Sequence, residues 1–252
     1  MTTGRYQVEA VVLTVRNWGE ADRLVRVFSK EHGLITAIAY GARRPRSQLA
    51  GGLQPFVQAQ LALLAGKQVE AVKGCEMIHS FQGLREDLNR MAYTGFLAEL
   101  ITELCPERQA EPEIYEWLLR VLRVMEERNP RLVTLAASWQ LFALAGLEPA
   151  CEVCQQCGKE LVWPAVFDMA AGGVVCRQCH DSSSEEKLFS EGAAELLQRF
   201  LHLQWEQMEG FLVSREALLM LEALLLSYVD HHIERPLRST AFIRQVAALG
   251  NS

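Results

Sequence analysis

Two Cys-x-x-Cys pairs, Cys154-x2-Cys157 and Cys176-x2-Cys179, lie 18 residues apart and set the first condition on the fold: four thiols have to meet at one point. Each pair can chelate from one tight turn, and two such turns complete the tetrahedral shell that zinc accepts. Gly158, directly after Cys157, supplies the permissive backbone such a turn needs. Cys151 and His180 compete for a place in the shell, since Cys151-x2-Cys154 has the same spacing, although without the following glycine. Five of the seven cysteines fall between Cys151 and Cys179, a clustering that reads as metal binding and not as a disulfide framework. One structural zinc ion per chain is expected. Four thiolates close the shell, whereas a catalytic zinc keeps a position open for water.

Enzyme signatures are absent at the places where they would be needed. A zinc deaminase requires His-x-Glu ahead of Pro-Cys-x-x-Cys, but His232-Ile233-Glu234 follows the cysteines and no Pro-Cys occurs. Gly66-Lys67 lacks the earlier glycine and the following Ser or Thr of a phosphate-binding loop. The chain is therefore expected not to be an enzyme. Charges at Arg5, Glu9, Arg16 and Glu20 interrupt the first twenty residues before a secretory core can form, and the most apolar stretch, Ala217 to Leu226, contains Glu222. It is far shorter than the roughly 20 residues a membrane span needs, so a cytoplasmic protein without a membrane span is expected.

The first eighty residues alternate like strands: Tyr6, Val8, Ala10 and Val12 share a face, and apolar runs follow at Leu24–Phe28, Leu34–Ala39, Phe56–Leu64 and Val69–Met77. Turn signals at Asn17-Trp18-Gly19, His32-Gly33, Gly51-Gly52 and Gly66-Lys67 separate them. Five short strands suggest a small closed barrel, because closure removes unpaired edges. An OB-fold is the natural candidate, and an SH3-like barrel fits the pattern as well. After Gly83 the period becomes helical through Leu84, Leu88, Met91, Phe96, Leu100 and Leu104 up to Pro106. Ile114 to Met125 and Leu132 to Phe142 mark two further helices, the second capped by Gly146. Past the cysteines, Asp181-Ser182-Ser183-Ser184 reads as a linker, and Ser190 and Ser214 as N-caps of helices over about 191–204 and 215–233. The aromatic and Met stripes of these helices are expected in the core. The class is α+β: a barrel domain over 1–80, then a helical domain over 81–252 that contains the zinc element at 151–180.

The net charge of −6 is unevenly placed. Residues 1–80 carry 10 basic against 6 acidic side chains, and the remainder 15 against 25, so an anionic ligand should meet the N-terminal part. Within it, Tyr40-Gly41-Ala42-Arg43-Arg44-Pro45-Arg46-Ser47 concentrates three guanidiniums in the turn between the third and fourth strands. Their planar forks suit phosphate. Arg23, Arg26 and Lys30 extend the candidate DNA-binding set along the second strand, and Trp18 and Tyr40 are candidates for stacking on bases or for packing at the barrel rim.

Taken together, Glu20-Ala21-Asp22-Arg23-Leu24-Val25, Phe28-Ser29-Lys30-Glu31-His32-Gly33-Leu34, Gly41-Ala42-Arg43-Arg44 and Leu53-Gln54-Pro55-Phe56 resemble the N-terminal domain of the bacterial RecO family. Cys154-x2-Cys157-Gly158, Ala171-Gly172-Gly173, Val175-Cys176-x2-Cys179 and Leu237-Arg238-Ser239 resemble its later segments, so the likeness spans nearly the whole chain. Cys151 departs from the family's four-cysteine pattern. The resemblance implies an N-terminal OB-fold, a helical body with a zinc element, and a recombination mediator in DNA repair at the nucleoid. Such a mediator binds single- and double-stranded DNA and anneals complementary strands. It works with RecR and with the C-terminal tail of single-stranded-DNA-binding protein to load RecA. A zinc-ribbon adaptor that binds only proteins is the alternative from another class.

Overall fold

The computed structural model describes residues 4–180, 187–207 and 213–240; the linker expected at 181–184 lies outside them. The described chain forms two compact units, one of residues up to Arg131 joined by those from Leu237 onward, the other Leu132–Pro236. The β pattern gives way to helices near residue 80, as the periodicity predicts, yet the compact units divide about fifty residues later.

Five strands build the first unit: β1 (Arg5–Trp18), β2 (Asp22–Ser29), β3 (Gly33–Ala39), β4 (Gln58–Leu64) and β5 (Glu70–His79). Their hydrogen-bonded order, β1-β2-β3-β5-β4, closes on itself, because β1 pairs with β4 from Arg5↔Leu64 to Val11↔Gln58. The alternating residues Val8, Ala10, Val12, Val25, Val27, Ile35, Ala37, Leu61 and Leu63 fill the interior. β1 runs through the turn expected at Asn17-Trp18-Gly19, and the chain reverses at Gly19, whose φ of +56° suits glycine.

The outer face of this barrel is also apolar in part. Val11, Leu13, Phe28 and Leu34 are buried although they lie outside the interior cluster. Helices α1 (Gly83–Glu86), α2 (Leu88–Leu104) and α3 (Pro112–Glu127) follow β5, and Tyr115 of α3 packs against Phe28 with ring centroids 6.3 Å apart. The Tyr115 hydroxyl donates to Glu9 at 3.2 Å, so the apolar contact ends in a satisfied polar one.

The helix expected from Leu84 to Leu104 is two. Asp87 adopts an extended conformation and its carboxylate accepts from Arg90 N at 2.9 Å, which starts α2 afresh. The restart resets the helical phase, and Leu88 and Met91, expected in the core stripe, are exposed.

β3 pairs with β5 only at Ala37↔Glu70 and Ile38↔Ala71, which leaves the start of β3 open. The segment between α2 and α3 fills that opening: Leu34 bridges to Glu107, and Arg108 N donates to Leu34 O at 3.0 Å. This strap passes so close to Gly33 that a Cβ there would lie 1.8 Å from Gln109 O, at a φ of +63°. Gly33→Ala should therefore cost about 2 kcal/mol, from left-handed strain and displacement of the strap. Thermal unfolding checks this, and an unchanged midpoint would contradict it.

The second unit holds α4 (Pro130–Leu144) from Leu132 onward, a three-stranded sheet in the order β7-β6-β8, and helices α5 (Glu191–Leu201) and α6 (Arg215–His232). The sheet comprises β6 (Ala165–Asp168), β7 (Gly173–Val175) and β8 (Leu188–Phe189). Ser190 and Ser214 cap the helices by accepting from Ala193 N and Ala217 N, as the sequence predicts. Gly146, at φ +78°, ends α4 with Leu147 N bonding back to Phe142 O. Tyr228 centres the core, edge-on to Phe142 at 4.9 Å, with its hydroxyl on Leu147 O at 3.0 Å. No helix among the described residues is long and apolar enough to cross a membrane.

Candidate nucleic-acid interface and metal centre

The four cysteines of the two pairs converge. The Sγ atoms of Cys154, Cys157, Cys176 and Cys179 all lie within 4.8 Å of one another, close enough to hold a metal ion. Gly158, at φ +69°, donates its N–H to Cys154 O at 2.8 Å and so closes the first turn; His180 N and Cys179 N both donate to Cys176 O in the second. The β6–β7 hairpin joins the two turns, and Val166 and Val175 pack against Cys154. Cys176 N donates to Cys154 Sγ at 3.2 Å. Burial opposes ionisation of Cys154, but N–H groups of Cys176, Cys157 and Gln156 outweigh it and hold the thiol at about 6. Hydrogen bonds with Cys176 and Cys157 instead push Cys179 up to about 12, as expected when several sulfurs share one charge.

Cys151 and His180 stand outside this set. The Cys151 thiol faces Pro149 O at 3.9 Å, and burial pushes it up to about 12. The paired strand-like contacts of Ala150 with Gly172 and Val174 fix the chain there.

The basic loop leaves β3 at the same end of the barrel as the β1–β2 turn, and the two are tied together. Gly41 N donates to Asp22 Oδ1 at 2.7 Å, and Arg43 N to Ala21 O at 2.9 Å. Arg43 also directs its guanidinium at the hairpin carbonyls of Glu20 and Gly19, at 3.0 and 3.3 Å. Arg44 and Arg46 are exposed and have no side-chain partner among the described residues. Arg46 sits at φ +67°, in a turn that Pro45 helps to fix. Trp18, at the end of β1, is 52% exposed and Tyr40, just past β3, 58%, so each keeps about half of its surface open to solvent. The barrel end thus carries two guanidiniums without a side-chain partner among the described residues and two half-exposed aromatic rings, chemistry that can take phosphates and stack on planar groups.

The second-strand candidates are more committed. Arg23 donates to Leu53 O at 3.0 Å and so holds the loop that precedes β4. Arg26 pairs with Glu107 at 2.5 Å and Lys30 with Glu116 at 2.6 Å. Sequence reasoning missed these carboxylates, because they lie 81 and 86 residues away. It also missed Glu70, a fully buried carboxylate at the opposite end of the barrel. Arg108 grips it with both terminal nitrogens, at 2.7 and 3.0 Å, and Tyr6 donates its hydroxyl at 2.7 Å. Burial alone would raise the Glu70 carboxyl, but the bonds from Arg108 and Tyr6 prevail and hold it below the ordinary glutamate range.

Comparison with known proteins agrees with both halves of the chain. The family model "Recombination protein O N terminal" matches residues 1–81, and "Recombination protein O C terminal" matches residues 85–241. Among curated relatives, the DNA repair protein RecO of Symbiobacterium thermophilum is 34% identical over 94% of this chain and 96% of its own length. That of Desulforudis audaxviator is 33% identical over 96% and 97%, and that of Pelotomaculum thermopropionicum 32% over 94% and 93%. With two family models that together run along nearly the whole chain and relatives matched end to end, the chain belongs to the RecO family of DNA repair proteins.

Proposed function

We propose that this chain is a non-enzymatic recombination mediator in DNA repair that binds single- and double-stranded DNA at the loop-bearing end of its barrel and anneals complementary strands. The observation that carries the reading is the pair Arg44 and Arg46, uncommitted and exposed beside Trp18 and Tyr40. A five-stranded barrel in the order β1-β2-β3-β5-β4, with β3 parallel to β5, supports assigning an OB-fold, whose loops and second and third strands serve nucleic acids. Annealing needs two phosphate backbones to approach, and guanidiniums that replace counterions lower that barrier. Family membership supports RecR and the C-terminal tail of single-stranded-DNA-binding protein as partners in loading RecA, in the cytoplasm at the nucleoid.

The metal would be zinc, held by Cys154, Cys157, Cys176 and Cys179. The donor set fits: a tetrahedral shell with Zn–S bonds of about 2.3 Å needs sulfurs roughly 3.8 Å apart, compatible with four that lie within 4.8 Å. Four thiolates leave no position for water, so the ion's role would be to hold the two turns together.

The DNA assignment also divides the basic residues. Arg44 and Arg46 are the phosphate ligands, while Arg43 chiefly fixes the loop against the β1–β2 turn. Each phosphate contact to a single strand contributes about 0.7 to the logarithmic salt slope, so Arg44→Ala with Arg46→Ala should flatten it by about 1.4. Affinity should fall alike for two oligonucleotides of unrelated sequence, annealing should slow in parallel, and thermal stability should hardly change. Binding curves at several salt concentrations decide it. A slope equal to the wild type's would leave the loop merely solvated and favour the protein-only adaptor.

A further inference from the structure

The outer face of β2 and β3, where OB-folds commonly receive nucleic acid, is partly covered by the chain's own helical segment. Its lower half is sealed: Phe28 and Leu34 are fully buried, with Tyr115 of α3 against Phe28. Along the border of that seal lie Arg26, on the strand's outer face, and Lys30, just past its end. Each meets a carboxylate delivered by the covering segment, Glu107 from the strap and Glu116 from α3. A carboxylate on a guanidinium or ammonium occupies the place and the charge that a phosphate would.

We propose that Glu107 and Glu116 act as built-in competitors of DNA phosphates, masking Arg26 and Lys30 so that the β2 face contributes to binding only when the carboxylates are displaced. This rests on the reading of the barrel as a DNA-binding module and names a restraint on that same surface. Displacement requires no unpacking of α3. Three of the four side chains are well exposed, Glu107 at 53%, Lys30 at 45% and Glu116 at 48%; Arg26, at 29%, is half-buried with its Nε covered, but both carboxylates can leave into water. Ion pairs so exposed contribute little to stability and exchange readily. The buried contacts beneath them, Phe28, Leu34 and Tyr115, stay in place. The loop end, with Arg44 and Arg46, would capture DNA first, and the β2 face would engage as the strand extends along it.

The test is Glu107→Gln with Glu116→Gln in the full chain, probed with a single-stranded oligonucleotide over a range of salt concentrations. Removing two competitors should tighten binding several-fold at low salt and steepen the logarithmic salt slope by about 1.4, two contacts at about 0.7 each. Adding Arg26→Ala to that variant should remove about half of the gain, whereas the same substitution in the wild type should matter much less. An unchanged or weaker affinity in a variant with wild-type thermal stability would overturn the proposal. If Arg44→Ala with Arg46→Ala flattens the slope while the glutamine variant changes nothing, only the masking fails. If neither set moves the slope, the DNA reading of the barrel fails with it.

Discussion

Cys176→Ser is expected to lose the metal ion and to open the segment around the four cysteines. The second turn contributes two of the four sulfurs, and its backbone is tied to the first through the bond from Cys176 N to Cys154 Sγ, so a second turn loosened by loss of the Cys176 thiol disturbs the first as well. Because the unfolded chain holds no preformed site, metal affinity becomes folding free energy; about 10–16 kcal/mol is typical of small structural zinc sites. Here Val166 and Val175 keep part of the β6–β7 hairpin packed, so the loss should be local. Metal analysis should find no stoichiometric zinc, and amide exchange over 150–180 should accelerate by orders of magnitude while the barrel strands keep their protection. Cys151→Ser is the control: its thiol lies outside the sulfur cluster, so that variant should retain one ion per chain. A full complement of zinc in Cys176→Ser, or none in the wild type purified without chelator, would refute the site.

Arg108→Ala should be the most destabilising single substitution in the first unit's polar contacts. It strands the Glu70 carboxylate, which is 1% exposed, with Tyr6 and Gly66 as its remaining donors among the described residues. Breaking a fully buried pair from one side costs about 3–5 kcal/mol, and because the Arg108 side chain is 52% exposed the expected loss is smaller, about 2 kcal/mol. The strap that fills the opening beside β3 should loosen with it, since Arg108 anchors there through both backbone and side chain. The pH dependence has a definite sign. In the wild type the folded-state Glu70 pKa is depressed, so its stabilisation is present above the unfolded glutamate pKa and is lost as pH falls through the folded one. The gap between wild type and variant should therefore be widest near neutral pH and shrink in acid. Denaturant unfolding at several pH values checks it, and a gap that is constant with pH would show that Arg108 acts by packing alone.

Local chemistry made much of this molecule legible in its residues. A Cys-x-x-Cys turn brings two thiols together by itself, so the convergence of four sulfurs could be read from spacing. The exclusion of Cys151 could not, because it depends on how Ala150 pairs with the chain around Gly173 and turns that thiol toward Pro149. The alternation of Val8, Ala10 and Val12 announced a strand with a buried face. The runs Val11-Val12-Leu13 and Val27-Phe28, apolar without interruption, carried a further signal that both faces are covered, which strict alternation obscured. Ser190 and Ser214 announced their helices because a cap is satisfied within three residues, whereas the break at Asp87 hid inside a helical period that continues across it.

Charge was the property the sequence determined least. Arg23, Arg26, Lys30, Arg43, Arg44 and Arg46 are alike as letters, and clustering alone offers all six to a phosphate. Tertiary structure separates them: Arg23 and Arg43 hold loop carbonyls, Arg26 and Lys30 face carboxylates, and Arg44 and Arg46 stay open. The physical reason is range. Capping, chelation and strand alternation act over two to four residues, so their signals are written contiguously. A guanidinium's partner is whichever carboxylate the fold brings within about 3 Å, and for Arg26 that partner lies 81 residues along the chain.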